Sequence, residues 1–235
     1  MGLAIVSGAV RQGLLRPECV IGIDPLPQAR DRAAELGMMV SGEPTQALSA
    51  ERLLLAVKPQ SFDALARTLA SDGRRSGDDR VREVISVMSG WTRAKIGTLL
   101  GHRDGAARVI RAMPNLPATV GRGVTAIATE SSAPGAAADD SFAATLFRSV
   151  GEVVFVPEAM LDAVTAVSGS GPAYLFLLAE SMLAAAHDLG FGEETARTLV
   201  VGTLDGAVAL LRDRGDHRLR SAPRSPAAEI GRAHV

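Results

Sequence analysis

The sequence predicts an α/β protein in which a doubly wound parallel-sheet domain is followed by an all-helical one. Three observations carry this. Short apolar runs alternate with helical segments up to about residue 157, the pattern of strands joined by helical crossovers. The runs are apolar throughout rather than at every second residue, as in strands buried on both faces. After residue 158 only helical periodicity remains. The 235 residues, 47% of them hydrophobic, can bury the cores that two such domains need.

The elements follow in order. Apolar residues at helical spacing predict a helix over 3–15, with Arg11 and Gln12 on its polar side. Residues 19–24 (CVIGID) read as a short strand ending in an acid. Residues 25–37 open with prolines and close on Gly37, as a helix with a glycine stop does. RLLLAVKP (52–59) is a buried strand closed by proline, and 60–70 is helical. SDGRRSGDDR (71–80) is a charged surface loop, and VREVISVMSG (81–90) is a second buried strand ending in small residues. A helix (92–100), a strand (108–112), a proline-rich turn (113–117), a strand (123–129), a helix (139–149) and a strand (152–156) complete the first domain. Residues 159–167, 172–189 and 193–212 are helices. The middle one is apolar on most faces, so it is expected to be buried, within its own domain or between subunits.

Composition removes several function classes. A net charge of −1 gives no basic field for nucleic acid or anionic membrane. The single cysteine, Cys19, rules out a disulfide framework and a cysteine-based zinc site. No apolar run reaches the ~20 residues of a membrane span. MGLAIVSGAVRQGLL lacks the basic lead of a signal peptide. The expectation is a cytoplasmic protein with no nucleic-acid or membrane partner. His102, His187, His217 and His234 make no metal-ligand spacing, and no nucleophile constellation can be argued. That favours chemistry supplied by a cofactor.

Candidate site residues cluster at strand ends. In nucleotide-binding α/β folds an acid such as Asp24 bonds the ribose 2′-hydroxyl; here it equally suits the N-cap of the following helix. Arg30 or Arg32 could meet a 2′-phosphate, although a solvated helix face is the favoured reading. AVKPQ (56–60) and SVMSG (86–90) each follow an apolar strand, the end where open α/β sheets bind ligands. Lys58 is one of only two lysines. Asn115, after a proline in RAMPN (111–115), could donate to a carboxamide, but its spacing favours an Asx turn. SGSGPAY (168–174) is the most specific stretch: Ser170 or Gly171 can cap a helix, Pro172 suits its first turn, and free amides there favour a carboxylate. Tyr174 reads as packing, and Glu180 as an acid paired at an interface or serving a substrate site.

Taken together, GLAIVSG (2–8), AVKPQ (56–60), RAMPNLP (111–117), GEVVFV (151–156) and DAVTAVSGSGPAY (162–174) strongly resemble pyrroline-5-carboxylate reductase, in order and spacing from residue 1 to about 226. The resemblance implies NAD(P)H-dependent reduction of 1-pyrroline-5-carboxylate to proline, the last step of proline synthesis. It implies a Rossmann-like domain over 1–157 and a helical dimerisation and substrate domain over 158–228, assembled as a homodimer or a ring of dimers. Carried over by position, Ala56, Val57, Lys58 and Pro59, with Val87, Met88, Ser89 and Asn115, would bind NADPH or NADH beside Asp24. Ser168, Gly169, Ser170, Gly171, Glu180 and Ser225 would bind substrate. No residue is assigned as catalytic, since the hydride comes from the nicotinamide. Ser89 and Trp91 fall where the family has alanine and a small aliphatic residue, so that loop is altered.

Two departures set further expectations. The family begins with a strand and a GxGNM turn, and this chain starts at the Met of that turn. The first strand is therefore expected to be missing, which would impair the chain. In the substrate loop Leu219, Arg220, Ser225 and Pro226 match, but Ala227 and Ala228 replace the expected glycines. EIGRAHV (229–235) is what the codons GAG ATC GGA AGA GCA CAC GTC encode. That string is a common sequencing adapter, so the tail is expected to be an artefact. The alternatives are another NAD(P)-dependent imine or hydroxyacid reductase of this architecture, or a non-catalytic dimerisation module. Against a hydroxyacid dehydrogenase, the helix 172–189 carries no lysine.

Overall fold

The computed structural model describes residues 1–71, 81–101, 107–129 and 141–213. Ser225, the tail 229–235 and all but Ser71 of the loop expected at 71–80 lie outside them.

The first helix, α1 (Gly2–Arg11), buries Ile5, Gly8 and Ala9. It is shorter than the expected 3–15. Gly13 takes φ +72°, a left-handed stop that glycine accepts without strain. The amides of Leu14 and Leu15 turn back to the Ala9 carbonyl. Both leucines still pack on the core, which is why the apolar pattern runs past the helix end. Next come β1 (Ile21–Ile23), α2 (Pro27–Ala34) and β2 (Met39–Ser41). β1 and β2 pair in parallel, Ile21 opposite Met39. β2 has only three residues, too few for any periodicity to announce it.

The larger sheet is built from β3 (Arg52–Leu55), β4 (Glu83–Ser86), β5 (Arg108–Met113), β6 (Gly123–Thr129) and β7 (Gly151–Pro157), in that order. β3, β4 and β5 are mutually parallel, β5 and β6 antiparallel, β6 and β7 parallel. α3 (Phe62–Ser71), α4 (Arg93–Leu99) and α5 (Phe142–Arg148) cover it. α4 and α5 start on side-chain caps, Thr92 and Ser141, which accept amides of the first turn. The strands expected over 52–59 and 81–90 stop at Leu55 and Ser86. There the Ser86 hydroxyl takes the Met88 amide, at 3.3 Å, and turns the chain out of the sheet. No strand pairing joins β1 to β3 among the described residues, so the doubly wound sheet comes in two pieces.

Apolar residues of α1 and α5 pack on one side of the large sheet, and Phe62, Ala66, Leu69 and Ile96 of α3 and α4 pack with Val84 and Leu55 in a second core. Gly151 (φ +149°) lies against Gly123: a Cβ there would come within 2.0 Å of the Gly123 carbonyl oxygen.

The helix expected at 159–167 is instead a 3-10 turn (Glu158–Met160), α6 (Leu161–Val164) and a π-turn (Thr165–Gly169). α7 (Gly171–Asp188) and α8 (Glu193–Asp213) follow. By length and composition the helical stretch Glu158–Asp188 could span a membrane. It is not an uninterrupted apolar run, since Asp162, Thr165, Ser168 and Ser170 punctuate it. The chain divides into compact units Met1–Pro172 and Ala173–Val235. The first extends past residue 157 because Leu161 is buried with Met113, Ala126 and Ala128 of β5 and β6. In α7 only Ala186 is buried. Tyr174, expected to pack, is 63% exposed.

Candidate functional site

β3, β4 and β5 run parallel, so their C-terminal ends share one edge of the sheet. Here the chain leaves β3 through Ala56 and Lys58, both exposed, with Val57 and Pro59 half-buried. The N-terminus of α1 meets this edge: a Cβ on Gly2 would lie 2.8 Å from the Ala56 Cβ. No side chain caps α1, so its first amides are left to solvent or a ligand. After β4, Val87 is half-buried and Ser89 exposed. Met88, expected to line a cofactor, is 1% exposed and belongs to the core with Phe62 and Ile96; its side chain is not available to a ligand. Trp91 stands edge-on to Phe62 and donates its indole N–H to the Pro59 carbonyl at 3.1 Å. It thus ties the loop after β4 to the loop after β3, a contact the sequence reading missed. A lone tryptophan beside SVMSG was the available signal.

Asp24 follows β1 and folds as an Asx turn, its Oδ1 accepting the Leu26 amide at 2.9 Å. It is not the N-cap expected of it: Leu26 holds that position at the start of α2, with no side-chain cap bond. Arg30 is not on a solvated helix face: its Nη1 donates to the carbonyls of Asp24 (2.8 Å) and Pro25 (3.0 Å). A carboxylate and a guanidinium therefore share the end of β1.

Asn115 overturns the expectation of an Asx turn. It is 9% exposed, and its own carbonyl takes the Ala118 amide. Its side chain reaches across the fold. Oδ1 accepts the Val124 amide at 2.9 Å, and Nδ2 donates to the Ser168 carbonyl at 3.1 Å. The structure thereby brings the RAMPN and SGSG motifs together. Ser168 Oγ bonds back to the Val164 carbonyl, and the Ser170 amide reaches Thr165 at 2.8 Å. Gly169 and Gly171 open the way into α7. Glu180 is exposed on α7 and belongs to the second compact unit.

An ion cluster lies beside these motifs. Glu158 Oε1 accepts the Arg93 amide (2.8 Å) and Arg111 Nη1 (3.2 Å), and Oε2 accepts Arg93 Nε (3.1 Å). Burial would raise the Glu158 carboxyl, but the hydrogen bonds from Arg93 and Arg111 and the Arg93 charge outweigh it and hold it below its ordinary 4.5. The Arg111 side chain is 5% exposed. An arginine inside a buried strand needs an anion, and that was the overlooked signal. The partner lies 47 residues further on.

This architecture, a doubly wound α/β unit of Rossmann type leading into long helices, is that of nicotinamide-dependent oxidoreductases. Residues 158–228 match the family model described as pyrroline-5-carboxylate reductase dimerisation. The chain is 35% identical to the pyrroline-5-carboxylate reductase of Thermus thermophilus over 229 residues, 96% of this chain and 82% of that one. The pyrroline-5-carboxylate reductase structure from Coxiella burnetii superposes with TM-score 0.76 at 30% identity, covering 99% of this chain and 84% of that one. The Plasmodium falciparum pyrroline carboxylate reductase with NADP bound shares the fold at TM-score 0.74 and 21% identity, covering 100% and 80%. The chain belongs to the pyrroline-5-carboxylate reductase family.

Proposed function

We propose that this protein reduces 1-pyrroline-5-carboxylate to L-proline, with NADPH or NADH as hydride donor. The observation that carries the reading is the junction made by Asn115. It joins the end of β5, on the ligand edge of the sheet, to the Ser168–Gly171 turn. A nicotinamide dinucleotide held at this edge would supply the hydride for the imine carbon. The residues present fit such a group: the uncapped start of α1, the small exposed Ala56 and Ser89, and the Asp24–Arg30 pair suit pyrophosphate, a close backbone approach and a ribose. Val57, Lys58, Pro59 and Val87 complete that edge, and Met88 contributes only main chain. Ser168, Gly169, Ser170 and Gly171 are the residues that would hold the substrate carboxylate, with the Ser168 hydroxyl and the Ser170 amide already engaged within the turn by Val164 and Thr165. No side chain need form a bond to substrate, so the protein works by positioning.

The partner is a second copy of the chain. Tyr174, Leu175, Phe176, Leu177 and Leu178 are each about half exposed or more around one full turn of α7, and apolar side chains exposed in succession mark an interaction site. Association through this helix accounts for its apolar surface with a cytoplasmic setting and without a lipid one. Glu180 would then lie at that interface.

The test follows absorbance of NADPH and NADH at 340 nm with 1-pyrroline-5-carboxylate. Stoichiometric proline formation is expected. Cofactor oxidation with another cyclic imine or a hydroxyacid couple alone would replace the substrate. Cofactor binding with no turnover on any of them would favour the non-catalytic dimerisation module.

A further inference from the structure

We propose that Asn115 is a positioning residue: it fixes the π-turn Thr165–Gly169, and through it the Ser168–Gly171 backbone, against the end of β5. Its effect on turnover rests on the reductase reading above; its structural part does not.

The side chain is spent on tertiary contacts. Asn115 is extended (φ −121°, ψ 171°), and its carbonyl already closes the following 3-10 turn through the Ala118 amide. The local backbone therefore needs nothing from the carboxamide. Oδ1 is anchored by the first residues of β6, through the Val124 amide. That anchor orients Nδ2 toward Ser168, 53 residues away. Only a side chain with an acceptor and a donor on one planar group can hold both, and asparagine has the right length.

The held segment needs holding. A π-turn is a rare interruption of a helix and persists where its surroundings fix it. Here the Ser170 amide bonds to Thr165, and Thr165 and Ser168 turn their hydroxyls back to the Leu161 and Val164 carbonyls. Gly169 permits the close turn: a Cβ there would stand 3.3 Å from Thr165 Cγ2. These bonds are all local. The Asn115 bond ties the turn to the sheet, and it acts on the peptide that leads directly into Gly169, Ser170 and Gly171. Releasing it lets those groups drift from the ligand edge while β5 stays in place.

Asn115→Asp removes the Nδ2 donor. It keeps an acceptor for Val124 and sets a carboxylate oxygen against the Ser168 carbonyl. The neutral Asn115→Ser, measured beside it, separates the lost bond from the introduced carboxylate. Two measurements on the full chain are needed: hydrogen exchange by peptide, and steady-state kinetics with 1-pyrroline-5-carboxylate and NADPH. Exchange in 165–171 should quicken about tenfold, the worth of one such bond, with β4 and β5 unchanged. KM for the pyrroline should rise about tenfold and KM for NADPH should stay within about twofold. Unchanged exchange in 165–171 overturns the proposal. So does uniform quickening across the first compact unit, which would mark a merely structural residue. A raised KM for NADPH with the pyrroline unaffected also overturns it, since Asn115 would then touch the cofactor itself. If the wild-type chain turns over no pyrroline, the reductase reading fails and the exchange result still decides whether Asn115 holds the turn.

Discussion

Replacing Glu158 should cost more stability than any other single carboxylate change in the first compact unit. Its two oxygens take three hydrogen bonds from two arginines. Arg111 lies within β5 with its side chain 5% exposed, and its buried Nε has no hydrogen-bond partner. Glu158→Ala would leave this guanidinium buried without its anion. Removing one member of a buried pair costs ~3–5 kcal/mol. The Glu158 side chain is 25% exposed, so water can partly replace it, and about 3 kcal/mol is expected, a large share of a domain's ~5–15 kcal/mol. Glu158→Gln keeps one acceptor and loses the charge, for about 2 kcal/mol. The pH dependence has a definite sign. The folded carboxyl titrates below its ordinary 4.5, so its contribution is complete above that value and is lost as pH falls through the folded one. Urea unfolding followed by circular dichroism, at fixed protein concentration and from pH 7 downward, measures both effects. The gap between wild type and Glu158→Gln should be constant near neutrality and close in acid. A gap under about 1 kcal/mol at pH 7, or one that widens in acid, would refute the reasoning.

Three other changes probe separate parts of the molecule. Gly151→Ala puts a Cβ within 2.0 Å of the Gly123 carbonyl oxygen at φ +149°; it should part β6 from β7 and leave the protein largely insoluble, and a normal melting curve would contradict this. Leu177, 64% exposed on α7, becomes a buried charge in a dimer if replaced by glutamate. Light scattering should then give a monomer mass, and an unchanged dimer would place the interface elsewhere. Asp24→Ser removes the carboxylate at the end of β1 and leaves Arg30 on its two carbonyls. The NADPH-to-NADH ratio of kcat/KM should rise about tenfold, whereas an unchanged ratio would make Asp24 a turn residue only.

What the sequence revealed, and what it hid, follows from the range over which each signal acts. Apolar runs made β3, β4, β5, β6 and β7 all legible, although burial on both faces explains the run only in β4, β5 and β6, since β7 has no buried residue and β3 has one. Their ends were not, because Ala56, Val57, Val87 and Met88 are as apolar as the strands they follow, and what stops β4 is the Ser86 hydroxyl. The three residues of β2 are held by pairing with β1, and no local pattern marks them. The motifs were legible as motifs and misread as local devices. Asn115 looked like an Asx turn because its immediate neighbours are all that a sequence window contains. Asp24, read as a helix cap or a ribose ligand, makes that turn instead. The difference is burial: Asp24 can leave its second oxygen in water, whereas the buried Asn115 carboxamide must find protein partners for both ends. Arg111 obeys the same rule with a full charge. Polar residues predicted to be buried are therefore where local reading fails, and in this fold Arg111 and Asn115 lie within the same five-residue stretch, RAMPN. One draws Glu158 onto the sheet and the other holds Ser168. A single strand end thus organises both the ion cluster and the turn that leads into α7.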